Sequence, residues 1–203
     1  LPGNSHLVIG TREGHLLVVD IPAGDITHVE ENAHDGAIWS IDMRRPTSQQ
    51  PSISLVTGST DKTVRFWEIE SQEDSSSPIL VHHRTLEMSD DVIAVRYSHA
   101  SDSSRRMVFV SCLDSTIKVF FDDTLKFFLS LYGHKLPALA VDASDDDTIL
   151  ASSGADKTIN RYPVTASPEK TRPKRLEKTC LIQMPKVRKN FMLIAMSFGF
   201  TVN

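Results

Sequence analysis

The chain predicts an all-β fold, a partial β-propeller, and three observations carry that prediction. First, a fixed internal spacing recurs. Asp61, Asp114 and Asp156 are each followed six residues on by an aromatic residue, Trp67, Phe120 or Tyr162. Four residues before each Asp stands Thr57, Val110 or Ser152, and two residues after it Thr63, Thr116 or Thr158. The Asp positions are 53 and 42 residues apart, a period that marks one supersecondary unit stacked along the chain. Second, short β-branched runs with period-two alternation, bounded by turn residues, fill the first 163 positions. Third, few helix signals compete with them.

Taken in order, strands are expected at 6–10, 15–20 and 26–30, with Glu13 where the turn Asp belongs. The best-formed unit then offers 37–43, 53–58, 63–69 and 84–87. The next offers 92–98, 107–111, 116–121 and 126–131, and the last 138–143, 148–153 and 158–162. Tight turns at 59–62, 113–115 and 155–157 join second to third strands, and Asp suits them because its short carboxylate accepts turn amides. The sum is three to four blades, against the ~4–8 of a closed ring, so the chain reads as a segment of a larger propeller.

The repeated polar residues form a consistent hydrogen-bond scheme. Indole N–H only donates, hydroxyl and neutral imidazole do both, and carboxylate only accepts. Trp67 to Thr57 to His34 to Asp61 therefore leaves no orphan when buried, and Tyr162, Ser152, His134 and Asp156 are expected to repeat it. Ser152, His134 and Asp156 also resemble a nucleophilic triad. The structural reading prevails, because one copy has Thr for Ser and the middle copy replaces the set with Met88, Val110 and Phe120. No catalytic, cofactor or metal residue is expected, and no small-molecule substrate. His82-His83 reads as a surface pair, having no Cys, Asp or Glu at ligand spacing. Asp145-Asp146-Asp147 reads as a turn.

Connectivity places the long loops 44–52, 70–83 and 99–106 on one rim and tight turns on the other. Enlarged loops on a rigid frame carry recognition, so Arg44, Arg45, Arg105 and Arg106 are the candidate contacts to partner proteins or RNA phosphates. Asp42, Arg96 and Asp142 fall at equivalent places near the inner strands and are expected to pair between blades.

Composition bounds the rest. Hydrophobic residues make up 40% and charged residues 24%, as in a water-facing globular domain. Cys112 and Cys180 make no disulfide framework, which suits a reducing compartment. The opening Leu1 leads to the expectation of a fragment, and the uncharged run 191–203 is too short to span a bilayer. Residues 164–203 hold eight Lys/Arg against two Glu, while the first 163 carry 14 basic and 24 acidic residues. The division expected is a partial propeller over 1–163 and a basic, poorly ordered tail with an apolar end over 164–203.

These residues, above all the Gly133-His134 pair and the Asp-to-aromatic spacing, resemble WD40 repeats over 1–163. Within that class the run Leu125-Lys126-Phe127-Phe128-Leu129-Ser130-Leu131-Tyr132-Gly133-His134-Lys135-Leu136-Pro137 is similar to the WD repeat-containing protein 3 family, of Utp-twelve type. Asp61-Lys62-Thr63-Val64-Arg65-Phe66-Trp67 and Leu113-Asp114-Ser115-Thr116-Ile117-Lys118-Val119 precede it in the right order. The resemblance implies a nucleolar, non-enzymatic scaffold of the small-subunit processome, associated with U3 small nucleolar RNA and serving pre-ribosomal RNA processing. The partners implied are other processome proteins, with U3 RNA and pre-rRNA within reach and no membrane. After Ile159 the family pattern gives way to Asn160-Arg161-Tyr162-Pro163, so 164–203 does not match it. The competing reading is a WD40 peptide-reading adaptor in ubiquitin ligation or chromatin.

Overall fold

A computed structural model describes residues 1, 5–44, 52–71, 78–100 and 106–164. Fourteen strands lie in four antiparallel sheets, and no helix occurs among the described residues. The first sheet holds β1 (His6–Gly10), β2 (Leu16–Asp20) and β3 (Ile26–Glu30). The second, in order, is β4 (Ile38–Arg44), β5 (Ile53–Ser59), β6 (Thr63–Ser71) and β7 (Pro78–Glu87). The third is β8 (Val92–Tyr97), β9 (Met107–Cys112), β10 (Ile117–Phe121) and β11 (Phe127–Leu131). The last is β12 (Ala138–Ala143), β13 (Ile149–Gly154) and β14 (Ile159–Pro163).

Each sheet is a blade, and alternation decides which neighbour a side chain meets. On β5, Leu55 turns to a core shared with Leu16 and Val18 of the first blade, while Val56 turns to one shared with Val92 and Val108 of the third. Trp67 and Phe66 split the same way on β6. On β9, Val108 and Val110 face the second blade, whereas Met107 and Phe109 face Val141 and Leu150 of the fourth. A strand with a blade on either side is covered on both faces, so every residue of β9 is buried, Ser111 included, whose hydroxyl donates to the Ala138 carbonyl. Among the described residues the end blades have one covered face, and Leu7, Ile9 and Val29 are exposed on the first.

The hairpin turns repeat at backbone level. Lys62, Ser115 and Lys157, each following the turn Asp, adopt φ of 65°, 66° and 64°. Each Asp holds its turn by accepting the N–H of the Thr two residues on, at 2.9 Å for Thr63, 2.9 Å for Thr116 and 3.0 Å for Thr158. In the first blade, where Glu13 replaces the Asp, Gly14 takes the left-handed place at φ +88°.

One expected loop is shorter than the sequence reading made it. β6 and β7 pair out to Ser71 and Pro78, so the connection read as 70–83 narrows to 72–77, which lies outside the described residues. The strand expected at 84–87 begins six residues earlier. An outermost strand carries Pro and polar residues freely because it has one unpaired edge, and that composition hid the strand.

Candidate functional site

The polar residues of the second blade form one buried chain. His34 Nδ1 lies 2.8 Å from Asp61 Oδ2, and its Nε2 lies 2.7 Å from Thr57 Oγ1. Trp67 Nε1 donates to the same hydroxyl at 3.0 Å. The carboxylate fixes the imidazole with Nδ1 protonated, so Thr57 donates to Nε2 and accepts from the indole. Thr63 Oγ1 closes the set by donating to Asp61 Oδ1 at 2.7 Å. The chain of bonds thereby ties the connection between β3 and β4 to the β5–β6 hairpin.

The fourth blade repeats most of this. His134 Nδ1 lies 3.1 Å from Asp156 Oδ1, its Nε2 lies 2.7 Å from Ser152 Oγ, and Thr158 donates to Asp156 at 2.7 Å. Tyr162 departs from the sequence expectation: no hydrogen bond joins it to Ser152 among the described residues. Indole carries its N–H on the side of the ring, whereas phenol carries O–H at the far tip, and that tip reaches past Ser152 to lie beside Gly133. In the third blade Met88 is buried in the place of His, and Lys118 Nζ takes up the surviving Asp114 at 3.2 Å while also donating to Ser89 Oγ at 2.8 Å.

Ser152 and His134 have a triad-like spacing, but Ser152 is 3% exposed inside the sheet. Burial also sets the charges. Desolvation holds the His34 pKa below 6.5 against the pull of Asp61. Desolvation pushes Asp61 up, but hydrogen bonds from Thr63 and His34 outweigh it and hold it below 3.8. A histidine favoured neutral in the fold stabilises fully above its unfolded value, and that contribution drains away as pH falls below 6.5. Asp61 adds a second loss, with the same sign, below 3.8. Acidification from pH 7 to 5 is therefore expected to lower the melting temperature of the wild type more than that of His34→Gln. Thermal unfolding at the two pH values checks it; equal shifts would contradict it.

Two of the rim arginines, Arg44 and Arg106, turn back into the frame. Arg44 ion-pairs with Asp122, donates to Ser54 Oγ at 2.7 Å and stacks 5.2 Å from the Tyr97 ring centroid. Arg84 donates to the other Asp122 oxygen at 3.2 Å and lies 4.9 Å over Phe66. Arg106 is 2% exposed and donates to the Ala100 carbonyl at 3.2 Å. These groups line a cavity of about 280 Å³ between the second and third blades. A guanidinium on a long stem reaches back to a buried carboxylate rather than out to water, so loop position alone did not settle its direction. Arg45 and Arg105 lie outside the described residues. Asp122 and Arg84 were missed because neither falls in the repeated polar pattern.

Nearer the axis, Arg96 donates to Asp42 Oδ1 at 3.0 Å and approaches Asp142 at 3.6 Å. Asp42 also accepts the Tyr97 amide at 2.7 Å, so one guanidinium links β4, β8 and β12, the innermost strands of three blades. His82 and His83 are both exposed, as a surface pair should be, but His83 has carboxylates beside it. Pairing of β6 with β7 brings Glu68 and Glu70 to His83, with donor atoms of all three within 4.8 Å of one another. Spacing along the chain could not show a cluster assembled across two strands.

Apolar residues mark the other rim. The inner strands carry a bulge after their first residue in each of three blades, at Trp39, Ile93 and Leu139. Trp39 is 63% and Leu139 47% exposed, with Ile93 half-buried between them. Leu113, Tyr132 and Leu136 are exposed in turns of the same rim.

Four antiparallel sheets, two of them braced by buried His–hydroxyl–Asp chains, define a WD40-type β-propeller scaffold. A family model for the WDR3 second beta-propeller domain matches residues 1–165, and the chain belongs to that family. It is 42% identical over 151 residues to U3 small nucleolar RNA-associated protein 12 of Saccharomyces cerevisiae, covering 70% of this chain and 15% of that protein. It is 42% identical over 141 residues to WD repeat-containing protein 3 of Homo sapiens, covering 68% of this chain and 14% of the relative. The Dictyostelium discoideum homolog is 39% identical over 150 residues, covering 69% and 14%. The chain thus spans about 15% of the length of the curated relatives it matches.

Proposed function

We propose that this chain is a non-enzymatic docking section of a small-subunit processome scaffold, acting with the U3 small nucleolar ribonucleoprotein in pre-ribosomal RNA processing in the nucleolus. The name of the yeast relative, U3 small nucleolar RNA-associated protein 12, supports the setting. The observation that carries the docking role is the row Trp39, Ile93 and Leu139 on the tight-turn rim, backed by a rigid frame. Exposed aromatic and aliphatic side chains that fill no core of their own supply the desolvation that protein–protein contacts use. The His34 and His134 chains then serve as internal supports, and the neighbours are other processome proteins. Arg45 and Arg105 remain the proposed phosphate contacts of the opposite rim.

Trp39→Ala and Leu139→Ser, together in the full-length protein, are expected to cut co-sedimentation with pre-ribosomal particles by roughly tenfold or more, the scale of a lost hot-spot residue, without lowering the melting temperature. Unchanged co-sedimentation would reject this rim as the docking surface.

A further inference from the structure

The hairpin of β6 and β7 is the longest among the described residues, and its outer half carries a cluster the scaffold role does not use. A register shift between Phe66 and Trp67 leaves His83 as the extra residue of β7, while His82 packs on Trp67 with ring centroids 5.1 Å apart. The same shift occurs between Val18 and Val19 and between Val119 and Phe120, so the bulge belongs to the repeat. In the third blade the positions of Glu68 and His83 are taken by Phe121 and Phe128, whose ring centroids stand 5.1 Å apart. The backbone therefore brings this pair together whatever side chains it carries. In the second blade it carries a carboxylate and an imidazole, with His83 Nε2 3.4 Å from Glu68 Oε2. Glu70, two residues along the strand on the same face, brings a second carboxylate into the 4.8 Å cluster.

We propose that Glu68, Glu70 and His83 bind a divalent transition-metal ion, of which zinc is the type. Two carboxylates balance a dication, and a cation between them relieves their mutual repulsion. The imidazole nitrogen selects against calcium, which takes about 6–8 oxygen donors, and against magnesium, which keeps its waters. Tetrahedral zinc with bonds of ~2.0–2.2 Å sets its donors ~3.4 Å apart, so small rotations of these part-exposed side chains close the shell. His82 lies outside the cluster, packed on Trp67, with its Nε2 held by the Arg84 carbonyl at 3.1 Å and Thr85 Oγ1 at 2.9 Å. The ion would pin β6 to β7 beyond the reach of the inner core and leave one position for water or a partner's side chain.

The test is titration calorimetry with zinc chloride on the chelator-treated full chain, with circular dichroism to check the fold. One equivalent is expected to bind, with affinity lowered more than ~10-fold in His83→Ala and in Glu68→Gln, and unchanged in the remote exposed variant His99→Ala. Cobalt(II) should give a tetrahedral visible band that Glu68→Gln abolishes. Glu68→Gln preserves side-chain volume, so it answers even if His83→Ala unfolds the hairpin. Failure of stoichiometric uptake, or equal affinity in both site variants, would overturn the proposal and leave only an ion pair between Glu68 and His83.

Discussion

Asp122→Ala is expected to destabilise the chain by ~3–5 kcal/mol, the cost of breaking a buried ion pair by removing one partner. Asp122 is 4% exposed and accepts from Arg44 and Arg84, which reach it from separate strands of the neighbouring blade. Without the carboxylate, Arg44 is left between Tyr97 and Ser54 with its charge uncompensated. Arg84 is more exposed and can turn to water, so most of the loss arises at Arg44. That apportionment has its own check. Arg44→Met combined with Asp122→Leu removes both buried charges and fills the space, and is expected to recover most of the stability. Equilibrium denaturation of the single and double variants decides it; a double variant as unstable as the single would place the loss elsewhere.

Thr57→Val should cost ~2–5 kcal/mol, although it changes almost no volume. The hydroxyl is the only link between Trp67 Nε1 and His34 Nε2, and both ring nitrogens lose their partner with it. Each buried group left unsatisfied costs ~1–3 kcal/mol. Ser152→Ala in the fourth blade is expected to cost about half as much, since only His134 Nε2 is orphaned there and the Tyr162 hydroxyl lies beside Gly133 instead. Thermal unfolding of the two variants compares them directly, and equal losses would contradict the difference in wiring.

Much of this architecture was legible in the sequence, for identifiable reasons. Alternation gave the strands of the inner and middle ladders, where each face meets a different neighbour, as with Leu55 and Val56. The Asp-Thr spacing gave the turns, because an Asx-type turn is a local event that needs no tertiary partner. β7 was cut short because its outer edge has no partner and its Pro78, His82 and His83 mask the period. Whatever depends on cross-strand or inter-blade meeting was hidden. Lys118 replaces the missing imidazole in the third blade, Asp122 captures the rim arginines, and Glu68 and Glu70 meet His83. Tyr162 was misjudged on a finer point, the direction in which a ring presents its donor.

Native-state hydrogen exchange of Thr57→Val reaches the core of the account most directly. If the recurring imidazole–hydroxyl–carboxylate sets are internal struts, protection should fall along residues 31–37 and across β5 and β6 while β12 and β13 keep theirs. Exchange identical to the wild type in all these segments would mean that the sets bear no strain of the fold, and the search for what they do would have to begin again at the surface.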